Sequence, residues 1–151
     1  MTDNESKRSH AAEPCPVARS AGILGDRWAL LIVRDAFDGV RRFSQFQRNL
    51  GVARNILSDR LRRLVDAGIL TLQQDSNGGA HQEYVLTERG RSLFPVIVAL
   101  RQWGEGYLFG AGERHSELIE KSTGRPVPFM APAGADGTPL SPDDTQVRKL
   151  P

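Results

Sequence analysis

Cysteine is nearly absent from this 151-residue chain: Cys15 stands alone. A single thiol forms no internal disulfide and supplies no structural zinc site by itself, so a disulfide-built scaffold and a thiolate zinc ribbon are both excluded. No metal and no cofactor is expected. Long apolar runs are lacking too, with nothing near the ~18 uninterrupted residues of a membrane helix. Met1–Ala12 is polar and mixed in charge, without the apolar segment of a secretory signal. The expectation is a cytoplasmic protein with no membrane partner. Histidine is missing from all of Ala11–Ala80, which leaves Cys15 without a nearby base and argues against a thiol enzyme. Lysine is confined to Lys7, Lys121 and Lys149, so every basic residue between Cys15 and Gly112 is arginine.

What is present suits a folded domain with tails: 39% of residues are hydrophobic and 25% charged. The net charge of +2 says little, but its distribution says more. From Val40 to Arg63 there are seven arginines (Arg41, Arg42, Arg48, Arg54, Arg60, Arg62, Arg63) and one acid, Asp59. A basic block on a near-neutral chain points to a specific anionic surface. Composition divides the chain into a polar leader at 1–14, expected to be poorly ordered, a periodic segment at 15–112, and an extension at 113–151. Six of the nine prolines fall at or after Pro126. Within the extension, His115–Ser122 and Pro126–Met130 read either as short strands or as part of a disordered tail.

The periodic segment predicts mainly helix. Cys15-Pro16 opens a first helix that stops at Gly25, and Asp26 caps a second carrying Trp28, Leu31, Ile32 and Phe37. Ser44 followed by Gln47 has the form of a capping box for a short third helix. A fourth covers about Arg54 to Ala67, with Leu57, Leu61, Leu64 and Val65 as its apolar stripe and Gly68 as its stop. After Gly68 the period falls to two, through Leu70 and Leu72, a polar turn, then Tyr84 and Leu86, which predicts a β-hairpin over 70–86. Thr87 then caps a long last helix through Leu93, Ile97, Leu100, Trp103 and Tyr107, which Pro95 should bend.

That order places a helix-turn-helix directly before a β wing. The fourth helix buries one face and offers Arg54, Asn55, Ser58, Asp59 and Arg62 on the other, and the major groove admits such a helix. Asn55 and Arg54 are the best base readers, since Asn pairs bidentately with adenine and Arg with guanine. Arg62 lies on the same face. Asp59 is expected to orient Arg62 or Arg63, and Arg60 to be an ion-pair partner inside the protein. Arg41, Arg42 and Ser44, ahead of Phe43 and the third helix, are expected at phosphates, with His81 and Gln82 as the wing contacts. A solvated helix face and a mobile loop are the plainer alternatives.

Here the chain resembles a family. The segments Cys15-Pro16-Val17, Leu24-Gly25-Asp26-Arg27-Trp28, Arg41-Arg42-Phe43, Leu57-Ser58-Asp59-Arg60-Leu61, Tyr84-Val85-Leu86-Thr87 and Pro95 to Gly104 are similar, in order and spacing, to the HxlR-type winged helix-turn-helix regulators. The resemblance covers roughly 13–108. It implies a homodimer without enzymatic activity that binds a pseudo-palindromic operator on double-stranded DNA. Helix 54–67 becomes the recognition helix, 70–86 the wing, and the first and last helices the dimer interface, with Leu93, Ile97, Leu100, Trp103 and Tyr107 as its candidates. Family members often carry Ser-Pro where Ala53-Arg54 stands here. Ala53 is a poor cap, costing about 1 kcal/mol against Ser, and Arg54 offers a phosphate or base contact in exchange.

Effector and partner remain open at this level. Cys15 sits at a helix N-terminus with Arg19 one turn on, and resembles a cysteine through which several such regulators sense quinones, aldehydes or oxidants. The alternative is a small residue that merely packs near the interface. Trp28, Phe94, Trp103, Tyr107 and Phe109 fit a pocket for a small-molecule effector or, favoured by the apolar run Leu93–Leu100, an interface. A winged-helix module that binds protein rather than DNA is the second functional class, against which the arginine block weighs.

Overall fold

Asp26 begins the helix that organises the molecule. In a computed structural model describing residues 13–75 and 77–151, its Oδ1 accepts the Trp28 N–H at 2.7 Å and starts α2, Arg27–Phe37. The leader expected at 1–14 lies outside the described residues except for Glu13 and Pro14. Ahead of α2, Cys15 caps α1 (Pro16–Leu24), with Pro16 at the first helical position. α1 buries none of its residues, and Val17 is 77% exposed. α2 buries Ala29, Ile32 and Val33, together with Asp35, whose Oδ1 takes Arg34 at 2.8 Å while Oδ2 has no hydrogen-bond partner among the described residues.

The third helix starts earlier than a Ser44–Gln47 capping box implies. α3 spans Phe43–Leu50 with Arg42 as the capping residue, and the Gln45 side-chain oxygen accepts the Arg42 N–H at 3.2 Å. The cause is tertiary. The Tyr84 N–H donates to the Arg41 carbonyl at 2.8 Å, which keeps the chain extended up to Arg42. Phe46, fully buried, is the core anchor of α3, while Phe43 is only half-buried. Gly51, at φ +63°, ends the helix in the left-handed conformation that glycine takes without strain.

α4, Arg54–Asp66, buries Leu57, Leu61 and Leu64 against this core. Its N-cap, Ala53, makes no side-chain cap bond, in line with the loss of the usual Ser-Pro. The far end closes as a Schellman motif, with Ile69 N–H to Leu64 O and Gly68 N–H to Val65 O. β1 (Leu70–Gln74) and β2 (Gln82–Leu86) form an antiparallel hairpin in which Leu70 faces Leu86 and Leu72 faces Tyr84. Only its root is in the core, since Leu70 is buried and Leu72 is 41% exposed.

The single long helix expected after Thr87 is two helices. Thr87 caps a four-residue α5, Glu88–Arg91, a turn follows at Ser92–Leu93, and α6 runs Phe94–Tyr107. Pro95 therefore bends nothing. It lies in the first turn of a new helix, where its missing N–H removes no internal bond. Gly90, inside α5, lies against the Ile69 carbonyl at a distance that leaves no room for a Cβ.

The chain gathers into two compact units, one ending at Phe94 and one spanning Pro95–Pro151, so the boundary runs inside the expected 15–112 domain. The first is a winged helix-turn-helix. In the second, Val98 of α6 is the buried hydrophobic residue. The extension follows as turns rather than two strands. Ile119 and Pro126 form one antiparallel bridge and Ala133 and Pro139 another, before a 3-10 turn at Pro142–Asp144. It is held to α6 by Arg101 on Ser116 O at 3.1 Å, and by Gln102 bonding Pro128 O and the Met130 N–H.

Candidate nucleic-acid interface

The buried leucines of α4 turn Arg54, Asn55, Ser58 and Arg62 outward, and all four are exposed. The arginines of this helix are not equivalent. Asp59 accepts Arg60 at 2.6 Å, Arg62 at 2.7 Å and Arg63 at 3.0 Å. Arg60 also bonds Asp26, tying α4 to the N-terminus of α2. Among the described residues, Arg54 alone of the four has no carboxylate partner, and its guanidinium lies 5.0 Å from the centre of the Phe43 ring. The expected roles of Asp59 and Arg60 are thus the observed ones.

The Asp26–Arg60 link is electrostatically settled. Burial works against the charged forms of both. The Trp28 N–H and Arg60 outweigh it at Asp26 and hold that carboxyl below its usual value, and the hydrogen bonds that Arg60 donates to Asp26 and Asp59 raise Arg60 above its own.

Arg41 and Arg42 are engaged in a way their spacing did not reveal. Arg41 lies 3.3 Å from Glu83 and Arg42 bonds Asp75, both acids being buried residues of the hairpin. Neither acid was singled out from sequence; for Glu83 an ionisable residue inside a strand was the available signal, while Asp75 reads as an ordinary turn residue, and both partners lie far away along the chain. Ser44 is exposed on the first turn of α3. His81 and Gln82 are exposed on the wing, where the His81 carbonyl accepts the Asp75 N–H at 2.9 Å.

Cys15 is exposed, and its sulfur accepts the Ala18 N–H at 3.5 Å. Arg19 turns to the Glu13 carbonyl at 2.6 Å. Leu93, in the turn before α6, and Ile97 on α6 are half-buried, while Leu100, Trp103 and Tyr107 are exposed, the last two with tilted rings 5.7 Å apart. An open groove of about 630 Å³ beside Ile23, Ala29, Arg60 and Leu64 is lined by none of the five aromatics considered for an effector pocket. Among the described residues no three metal-ligating side chains converge, and no helix is long and apolar enough to cross a membrane.

A helix packed by one face beside a two-stranded wing, with arginine and asparagine on its free face, defines a winged helix-turn-helix transcription regulator of the DNA-binding class. Comparison with known proteins narrows this. The HxlR-like helix-turn-helix family profile matches residues 23–111, and the chain belongs to that family. The uncharacterized HTH-type transcriptional regulator Rv3095 of Mycobacterium tuberculosis is 50% identical over 103 residues, 68% of this chain and 65% of the relative. The chain thus spans just under two thirds of that relative's length. The crystal structure of PA1607, a candidate transcription factor, is 49% identical with a TM-score of 0.90, covering 94% of this chain and 99% of that one. The redox regulator HypR in its reduced form is 30% identical with a TM-score of 0.56, over 61% of this chain and 92% of its own.

Proposed function

We propose that the chain acts in the cytoplasm as a homodimeric, non-enzymatic repressor that places α4 in the major groove of a pseudo-palindromic operator. The observation that carries this reading is the free face of α4, where Arg54, without a carboxylate partner among the described residues, stands beside Asn55. These two read base edges, and Ser58 and Arg62 flank them. Arg41, Arg42 and Ser44 meet phosphates, and His81 and Gln82 reach the flanking duplex. Two copies pair through the apolar residues left open on α1 and α6, Val17, Leu100, Trp103 and Tyr107 among them. The half-sites then lie about one helical turn, or a multiple of it, apart.

The release signal in this reading is a small electrophile or oxidant acting on Cys15, supported by its exposure and by the likeness to a redox regulator. The test is fluorescence anisotropy with a duplex enriched from a random pool by the protein itself, against a scrambled duplex. Arg54→Ala should weaken the enriched duplex by about tenfold, the range of one lost base contact, and relax the preference at one position. Diamide should abolish binding by the native protein and leave Cys15→Ser bound. Binding indifferent to diamide removes the thiol signal and keeps the regulator. Absence of binding even at low salt supports the protein-interaction reading instead.

A further inference from the structure

The two buried acids of the hairpin do more than stabilise it. Asp75 and Glu83 are each 5% exposed, and each meets an arginine from the segment leading into α3, 33 and 42 residues away in sequence. Burying a carboxylate is costly unless it is paired, so these contacts are unlike the exposed pairs of an ordinary surface. The arginine side chains remain 47% and 37% exposed. A guanidinium has five N–H donors in a fixed fork, so one edge held by a carboxylate aims the rest outward. Backbone bonds reinforce the link: Tyr84 N–H to Arg41 O at 2.8 Å, and Asp75 N–H to His81 O at 2.9 Å. Asp75 Oδ1 also takes the Asn77 N–H at 2.9 Å, shaping the turn at the wing tip. That bond, against the opposing effect of burial and together with Arg42, holds the Asp75 carboxyl below its ordinary value, so it is charged at neutral pH. A two-stranded hairpin is marginal in water by itself, and its direction relative to α4 depends on such ties.

We infer that Asp75 and Glu83 are positioning residues for operator recognition, which act through Arg42 and Arg41 to fix the wing and the phosphate-facing arginines as one body. The inference rests on the reading that Arg41 and Arg42 contact phosphates. Two carboxylates beside two guanidiniums lower the local positive field, so the arrangement gives up sequence-independent attraction in exchange for register on the duplex.

The experiment is a double-mutant cycle on the full chain, reading anisotropy with the enriched and the scrambled duplex. Asp75→Asn should weaken the enriched duplex by about tenfold while scrambled binding stays equal or tightens up to about threefold, because one negative charge is removed. In an Arg42→Ala background the same change should alter the enriched-to-scrambled ratio less than about twofold, since the residue acted upon is gone. A parallel loss on both duplexes, or an equal change of ratio in both backgrounds, assigns Asp75 a merely structural role and overturns the inference. Arg42→Ala binding both duplexes like wild type overturns the phosphate reading beneath it. A normal loss in Arg42→Ala with an inert Asp75→Asn overturns the positioning role alone. If Asp75→Asn does not fold, Glu83→Gln with Arg41→Ala closes the same cycle.

Discussion

Asp26 performs two jobs that substitution can separate. Its Oδ1 caps α2 through the Trp28 N–H at 2.7 Å, and its Oδ2 takes the Arg60 guanidinium from α4. Loss of an N-cap costs about 1 kcal/mol, and loss of a hydrogen bond to a charged, partly buried partner about 1.5 kcal/mol more. The side chains of Arg60 and Asp26 are 24% and 29% exposed, and Arg60 keeps Asp59, so the second figure belongs at the low end of its range. Asp26→Ala should therefore destabilise by about 2–3 kcal/mol, or roughly 4–10 °C in Tm for a chain of this size. Asp26→Asn keeps a good cap and loses only the charge, and should cost about half as much. The difference between wild type and Asp26→Asn carries a pH signature. The Asp26 carboxyl is held below its ordinary value, so this stability is full above about pH 4 and is lost as pH falls through the lower folded value. Urea denaturation of the three proteins between pH 3 and pH 7 measures all of this. Asp26→Ala within about 0.5 kcal/mol of wild type, or Asp26→Asn as costly as Asp26→Ala, would refute the division of roles.

Three further outcomes follow from packing. A Cβ on Gly90 would stand 2.1 Å from the Ile69 carbonyl and 2.9 Å from Leu86 Cδ2, so Gly90→Ala should lose about 3 kcal/mol or more in denaturant, and full stability would deny the close approach. Leu61, fully buried on α4, should cost about 2–5 kcal/mol when cut to Ala, with DNA affinity recovering at low temperature where the fold is populated. Leu100, 46% exposed on α6, should tolerate Asp in the folded chain while sedimentation shifts from dimer to monomer; an unchanged dimer would place the interface elsewhere.

The elements whose cause is local were legible in the sequence. Pro16, Asp26, Gly51 and Gly68 act within one turn of themselves, and the hairpin occupies the 70–86 expected from its alternation and turn residues. The leucine stripe of α4 fixes its outward face, so Arg54, Asn55, Ser58 and Arg62 are exposed as their spacing required. What escaped was set by contacts across the fold. The start of α3 moved because the Arg41 carbonyl is pinned by Tyr84, and the short helix before the break packs its Gly90 under Ile69. Neither partner is near in sequence, and no local rule for caps or prolines contains it.

The same distinction bears on the arginine block, which reads as one basic feature in sequence and becomes three groups in the fold. Arg60, Arg62 and Arg63 share Asp59, with Asp26 as a further partner of Arg60, and Arg41 and Arg42 are held by hairpin acids. Arg48 and Arg54 have no carboxylate partner among the described residues, and Arg54 lies against an aromatic ring instead. Counting charge alone would assign all seven arginines to DNA and overestimate the salt dependence of binding, because an arginine already paired neutralises less phosphate charge and fewer counterions leave the DNA. In the proposed reading the paired ones set geometry, and Arg54, next to the uncapped Ala53, is left available to read sequence. On the proposed reading, recognition turns on the position where the chain departs from the usual Ser-Pro start, which makes Arg54 the residue whose replacement should move specificity furthest.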